Sequence, residues 1–290
     1  MLRPAYAVRT AFGTMRGRTL VVTSVLAAFG LASAVIQFVG QLFPSSLPAP
    51  TVVTLVSIVV CLAWGLARAY PRESFRREFK QPEMTVVVEV GDIFAQTDAH
   101  LVVGFSDTFD TSVTDKVIHG SSLQGQLLGR LYRGDGMALD RDLGLALRET
   151  MPLLQEREQN KPSGKLERYP IGTVAVLDRP HQRVFAVAYS RMGNDLIARA
   201  NLDDIWHSLN RLWEAIYQHA QRETVAMPLI GSGLARVDHI ERESLLKMII
   251  LSFVASSRQR LVCKELRVII WPPDLDRINM LEVNAFVRNL

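Results

Sequence analysis

Two short segments carry residue types spaced for recognition of a small molecule. The first is Val90-Gly-Asp-Ile-Phe94, directly after a Val-rich run. A carboxylate at a strand end, here Asp92, can accept a hydrogen bond from an exocyclic amine, and a neighbouring backbone N–H can donate to a ring nitrogen. That pair of bonds suits adenine; taken alone, Gly-Asp is also an ordinary turn. The second is Pro228-Leu-Ile-Gly-Ser-Gly-Leu-Ala-Arg236. Gly231 and Gly233 let the backbone turn its N–H groups inward and approach a phosphate closely, and a following helix N-terminus favours negative charge. As a dinucleotide fingerprint it is incomplete, because Arg236 stands where a third glycine belongs. On spacing alone a plain tight turn fits equally well.

Other chemistries find no support. The six histidines are scattered without a His-Glu-x-x-His pair, and Cys263 is the only cysteine after Cys61, so no metal site is expected. There is no Gly-x-Ser-x-Gly elbow and no Walker A sequence, and no catalytic residue is assigned.

The elements that must position these segments alternate between strand and helix. Thr85–Val90 and Leu101–Gly104 read as strands, and Ser122–Tyr132 and Leu139–Leu154 as helices. The polar stretch Glu156–Arg168, with Pro162 and Gly164, reads as an exposed loop. Thr173–Leu177 and Val184–Tyr189 resemble paired strands. Leu202–Ala220 has the clearest helical period, which puts Trp206 and Trp213 in the core. Val225–Pro228, Ile240–Val254 and Leu266–Trp271 follow as strand, helix and buried strand. The order predicts a three-layer α/β/α sandwich over residues 83–290.

Charge separates this domain from what precedes it. The net charge is +4, yet Arg3, Arg9, Arg16 and Arg18 are the only charged residues before Arg68. Residues 81–290 carry 24 basic against 27 acidic side chains, so a basic face for nucleic acid is not expected. Between the arginine clusters lie two apolar runs, Thr19–Phe43 and Ala49–Ala67, separated by Pro44-Ser-Ser-Leu-Pro48. At about 1.5 Å per residue they reach about 37 and about 28 Å, against a hydrocarbon core of about 30 Å. The expectation is a basic N-terminus (1–18), a transmembrane hairpin (19–70) and a juxtamembrane linker (71–82). Phe75 and Phe79 among Arg72, Arg76, Arg77 and Lys80 suit a short interfacial helix or a solvated linker. Arginines at both ends of the hairpin place both termini in the cytoplasm. Cys61 in a span and Cys263 in the soluble part argue against a disulfide. Small and hydrogen-bonding residues draw one seam on each span: Thr23, Ala27, Gly30, Ala34, Gln37 and Gln41 on the first, Thr54, Ser57, Cys61 and Gly65 on the second. Such seams pack the hairpin on itself or face partner subunits.

The order of Gly91-Asp92-Ile93 and, about 140 residues later, Ile230-Gly-Ser-Gly233 resembles the macro domain, a binder of ADP-ribose and its derivatives. Gly104-Phe-Ser-Asp-Thr-Phe-Asp110, Ser122-Leu-Gln-Gly-Gln126, Arg168-Tyr-Pro-Ile-Gly-Thr-Val174 and Val187-Ala-Tyr-Ser-Arg191 narrow it. With Pro228–Arg236, they are similar to the membrane-anchored macro-domain effectors of Thoeris anti-phage defence. The resemblance implies adenine recognition by Asp92 and Ile93 and a diphosphate loop of Gly231, Ser232, Gly233, Leu234 and Ala235. In hydrolytic relatives the loop after the second strand is rich in Asn and then Gly; Gly104–Ser112 has neither run, which favours sensing over turnover. Phe105, Asp107, Asp110, Arg191 and Arg236 are the candidates for the distal ribose or its adduct; for Asp107, Asp110 and Arg191, solvated acids or a structural salt bridge compete. The resemblance further implies a histidine adduct of ADP-ribose as ligand, no cofactor, and a TIR-domain NAD-consuming enzyme as its source. It also implies a homo-oligomer in the bacterial inner membrane whose activation disrupts the bilayer; a tethered hydrolase is the alternative.

Overall fold

The computed structural model describes residues 6, 10–42, 49–70, 73–115, 117–233 and 240–290. The turn Pro44–Pro48 and the site candidates Leu234, Ala235 and Arg236 lie outside the described residues. The chain divides into two units: residues 1–73 with 279–285, and 74–278 with 286–290.

In the first unit, α1 (Met15–Leu42) and α2 (Pro50–Ala69) are long and apolar enough to cross a membrane, with mean hydropathies of 2.2 and 1.9 over their spans. Phe29, Leu31, Phe38, Leu55, Val59 and Trp64 are exposed. The two seams have different fates. Ser57, Cys61 and Gly65 of α2 are turned inward, and a Cβ on Gly65 would collide with the Val25 side chain of α1. Thr23, Ala27, Gly30, Ala34, Gln37 and Gln41 of α1 are exposed, and nothing lies within 4 Å of where a Gly30 Cβ would be. The contact between the helices uses Val21 and Val25 of α1 instead.

The second unit is built on a mixed sheet of eight strands. Seven follow the order β1-β2-β10-β9-β3-β7-β6. They are β1 (Ser74–Lys80), β2 (Glu83–Val90), β3 (His100–Ser106), β6 (Val174–Asp178), β7 (Arg183–Met192), β9 (Val225–Pro228) and β10 (Glu265–Ile270). Strands β2, β10, β9, β3 and β7 run parallel, and β1 and β6 close the edges antiparallel. The short β8 (Ala198–Arg199) pairs with the end of β7, and β4 (Leu154–Gln155) with β5 (Glu167–Arg168). The inner strands are Val/Ile/Leu-rich because helices cover both their faces. Leu127 and Leu128 of α3 (Leu123–Leu131) and Leu139, Leu143 and Leu147 of α4 (Gly136–Leu147) join Leu101, Val103 and Phe105 in one core cluster. The other face takes α5 (Leu202–His219) and α6 (Arg242–Gln259), locked together where Trp213 Nε1 donates to Ser252 Oγ at 3.1 Å. A final helix, α7, spans Met280–Arg288. The three-layer expectation holds.

Four local expectations are corrected. Residues 74–80 form a strand rather than a helix or linker. Phe75, Arg77 and Phe79 share one face of β1, opposite Val88, Val86 and Met84, so a spacing of four was two steps of a period-two pattern. α4 stops at Leu147 instead of reaching Leu154, since Pro152 follows and Leu154 enters β4. Trp213 is core, but Trp206 is 41% exposed, at the edge of the helix's buried stripe. The polar stretch Glu156–Arg168 is not uniformly exposed: Lys161 is fully buried.

Candidate functional site

Parallel strands whose carboxyl ends share one edge create a crevice there. The described residues line one of about 710 Å³, within the range of small-ligand sites. Its subsites follow the sheet order from β2 across β10, β9 and β3 to β7, four inter-strand steps of about 4.8 Å or roughly 19 Å in all.

At the β2 end, Gly91 N–H donates to Ile270 O at 3.0 Å, which fixes the chain as it leaves the strand. Asp92 then caps a short 3₁₀ turn, its Oδ1 accepting from Phe94 N–H at 3.0 Å. Its Oδ2 pairs with Arg130 of α3, whose guanidinium lies 5.4 Å from the Phe94 ring centroid. A carboxylate has about four acceptor positions, so two partners orient Asp92 and leave room for an amine. Ile93 beside it is buried. One strand over, Trp271 at the end of β10 is 51% exposed and lines the cleft. Sequence reasoning placed this indole in a buried strand; the Pro272-Pro273 that follows was the available sign that the strand ends there.

In the middle, Gly231 holds φ +85°, and a Cβ there would come 2.5 Å from Ile205 Cδ1 of α5. Only glycine fits on both counts. Ser232 turns its polar atoms into the protein: Oγ donates to Leu229 O at 2.7 Å, and its carbonyl accepts from Arg242 Nη2 at 3.1 Å. Arg242 Nε also sits 2.8 Å from Asp274 Oδ1, an ion pair by distance though not aligned as a hydrogen bond. Among the described residues the N–H groups of Gly231 and Gly233 have no acceptor, so they remain available to a ligand.

At the far end, Gly104, Phe105 and Ser106 of β3 and Tyr189, Ser190 and Met192 of β7 form the floor, and His119, Ser121 and Ser122 ahead of α3 form a wall. The acidic candidates are elsewhere. Asp107 is 4% exposed, with Oδ1 accepting from Met192 N–H at 2.7 Å and Oδ2 from Arg168 Nη1 at 2.9 Å. Burial opposes the Arg168 charge, yet its hydrogen bonds to Glu156 and Asp107 prevail, and its pKa is raised. Asp110 is 1% exposed and bonds to Thr108, to the Lys165 N–H, and to Lys161 at 3.2 Å. Arg191 is held by Asp204 through bonds of 3.1 and 2.8 Å. None of the three lines the cleft, and the acids are not solvated, because the buried Lys161 and the half-buried Arg168 reach them. Phe105 does line the cleft. Among the described residues no cluster of His, Cys, Asp and Glu could hold a metal ion.

The family model described as Thoeris protein ThsA, macro domain, matches residues 86–271. The chain belongs to this family. The Thoeris protein ThsA of Bacillus amyloliquefaciens (strain Y2) is 26% identical over 212 residues, covering 70% of this chain and 68% of that protein. Among solved structures, a point mutant of the Oceanobacillus iheyensis macrodomain covers 76% of this chain and 100% of its own, with a TM-score of 0.51 at 12% identity. Thermosipho africanus DarTG in complex with ADP-ribose covers 73% of this chain and 48% of its own, at 15% identity and a TM-score of 0.41.

Proposed function

We propose that this chain is a membrane-anchored sensor of an ADP-ribose conjugate in anti-phage defence. The observation that carries the reading is the linear cleft, with an oriented carboxylate at one end and a Gly231–Gly233 turn with two available N–H groups at its middle. Adenine lies against Asp92 and Ile93 with the Trp271 indole beside it, the diphosphate over the glycine turn, and the terminal ribose and its adduct over β3 and β7. A histidine adduct, produced from NAD by a TIR-domain partner enzyme, is the form to test first. The chain acts as a sensor rather than a hydrolase: Asp107 and Asp110 of the loop after β3 turn inward to Arg168 and Lys161 and away from the cleft.

Two apolar helices anchor the domain in the bacterial inner membrane, with both termini cytoplasmic. The exposed seam Thr23–Gln41 of α1 is the surface through which copies associate, and ligand binding favours the associated arrangement that perturbs the bilayer. A shift from 1:99 to 99:1 requires about 5.5 kcal/mol of differential affinity, which several coupled copies can share. Titration calorimetry of the full chain in lipid nanodiscs tests the sensing step: histidine-ADP-ribose binds, and Asp92→Ala and Gly231→Glu abolish the heat. Release of free ADP-ribose on turnover would instead establish a tethered hydrolase.

A further inference from the structure

An aromatic hydroxyl in the cleft has no hydrogen-bond partner among the described residues. The Tyr189 ring, projecting from β7, lies across Gly104 of β3: a Cβ at 104 would come 2.5 Å from Tyr189 Cε1 and 2.9 Å from Cδ1. Gly104 is paired with Val187, two residues before Tyr189 on the same face, so the ring leans diagonally across the strand pair. Glycine within a strand interior is unfavourable unless something approaches its backbone closely. The approaching group here is the phenol. Tyr189 is only partly buried and lines the cleft, and its hydroxyl makes no hydrogen bond among the described residues. A phenol hydroxyl that faces a cleft without a protein partner is free to donate to a bound molecule. The acids of the loop after β3 are already paired with Arg168 and Lys161.

We propose that Tyr189, made possible by Gly104, is the specificity-determining residue at the distal end of the cleft, its hydroxyl hydrogen-bonding an oxygen of the sugar beyond the diphosphate. The assignment rests on the sensor reading above and adds to it the residue that separates a ligand with a terminal sugar from a plain nucleoside diphosphate. The sheet order places it: β3 and β7 lie beyond the β9 glycine turn as counted from Asp92. Burial pushes the Tyr189 phenol up to about 12, so it stays neutral and can donate to a hydroxyl or ring oxygen.

Calorimetry of the full chain in nanodiscs with ADP-ribose and with ADP tests this. Tyr189→Phe is expected to weaken ADP-ribose about tenfold, the worth of one hydrogen bond, and ADP less than twofold. Gly104→Ala, which displaces the ring, is expected to do the same, and the double variant to be no weaker than either single one, because both remove one contact. Equal loss for both nucleotides, or no loss for either, overturns the role of Tyr189 while leaving the sensor reading in place. If the unaltered chain binds neither ADP-ribose nor histidine-ADP-ribose, both readings fall; if it binds only the conjugate, the same comparison is made with the conjugate against ADP.

Discussion

The turn after β9 and the loop after β3 border the same cleft and treat polarity in opposite ways. In Pro228–Gly233 it is the backbone that faces the cleft: Gly231 adopts a left-handed conformation, Ser232 is tied inward, and among the described residues the N–H groups of Gly231 and Gly233 have no acceptor. In the loop after β3 the central carboxylates are consumed by the protein. Asp107 and Asp110 meet Arg168 and Lys161, both from a segment more than fifty residues later. The difference teaches that a charged loop beside a cleft need not be a binding loop. What matters is whether another part of the chain supplies its counter-charge under the surface.

The largest expected effect is on the stability of the β3 loop. Lys161→Met leaves Asp110 buried without its cation and is expected to cost about 3–5 kcal/mol, with apparent Tm falling by roughly 10 °C. Asp110→Leu in the same chain should restore much of it, and a melting curve of each variant in nanodiscs decides. No change in Tm for Lys161→Met would mean the loop is not held by this pair. Next, Gly231→Ala brings the strain of a positive φ and a methyl group against Ile205, a loss of about 1–2 kcal/mol in stability. Because it displaces N–H groups aimed at the ligand, its effect on affinity for ADP-ribose should exceed that of Lys161→Met, which sharpens the contrast between the two loops.

A smaller effect is expected at Arg191, whose side chain is 56% exposed and paired with Asp204. Arg191→Gln should change stability by less than about 1 kcal/mol and leave ADP-ribose affinity as it was; a tenfold loss would return Arg191 to the binding site. The smallest concerns His100 at the start of β3. Burial lowers its pKa below the usual 6.5, outweighing Glu223 at 3.1 Å; Arg183 nearby acts in the same direction as burial. A lowered histidine pKa means that the unfolded chain binds the proton first, so stability declines as pH falls below 6.5. His100→Gln should flatten that part of a Tm-against-pH curve.

Much of this was legible in the sequence where a local pattern determines the outcome. The strand-helix order, the apolar runs, Asp92 at a strand end and the paired glycines of 231–233 all depend on neighbours within a few residues. What was not legible depends on distant partners. The fate of Asp107 and Asp110 was set by Arg168 and Lys161, and the role of Gly104 by a ring on another strand. At Phe75 and Phe79 a spacing of four satisfied both periods, and only pairing with Met84–Val88 selected the strand. The two seams of small and polar residues looked alike in sequence, yet only that of α2 meets the neighbouring helix.

The task proposed for the cleft is to read an adenine-diphosphate ligand through Asp92 and the Gly231–Gly233 turn. Titration of the full chain in nanodiscs with histidine-ADP-ribose, beside Asp92→Ala, addresses it most directly. Saturable heat from the unaltered chain and none from the variant is the predicted result. Equal heats from the two chains, or no heat from either, would contradict it.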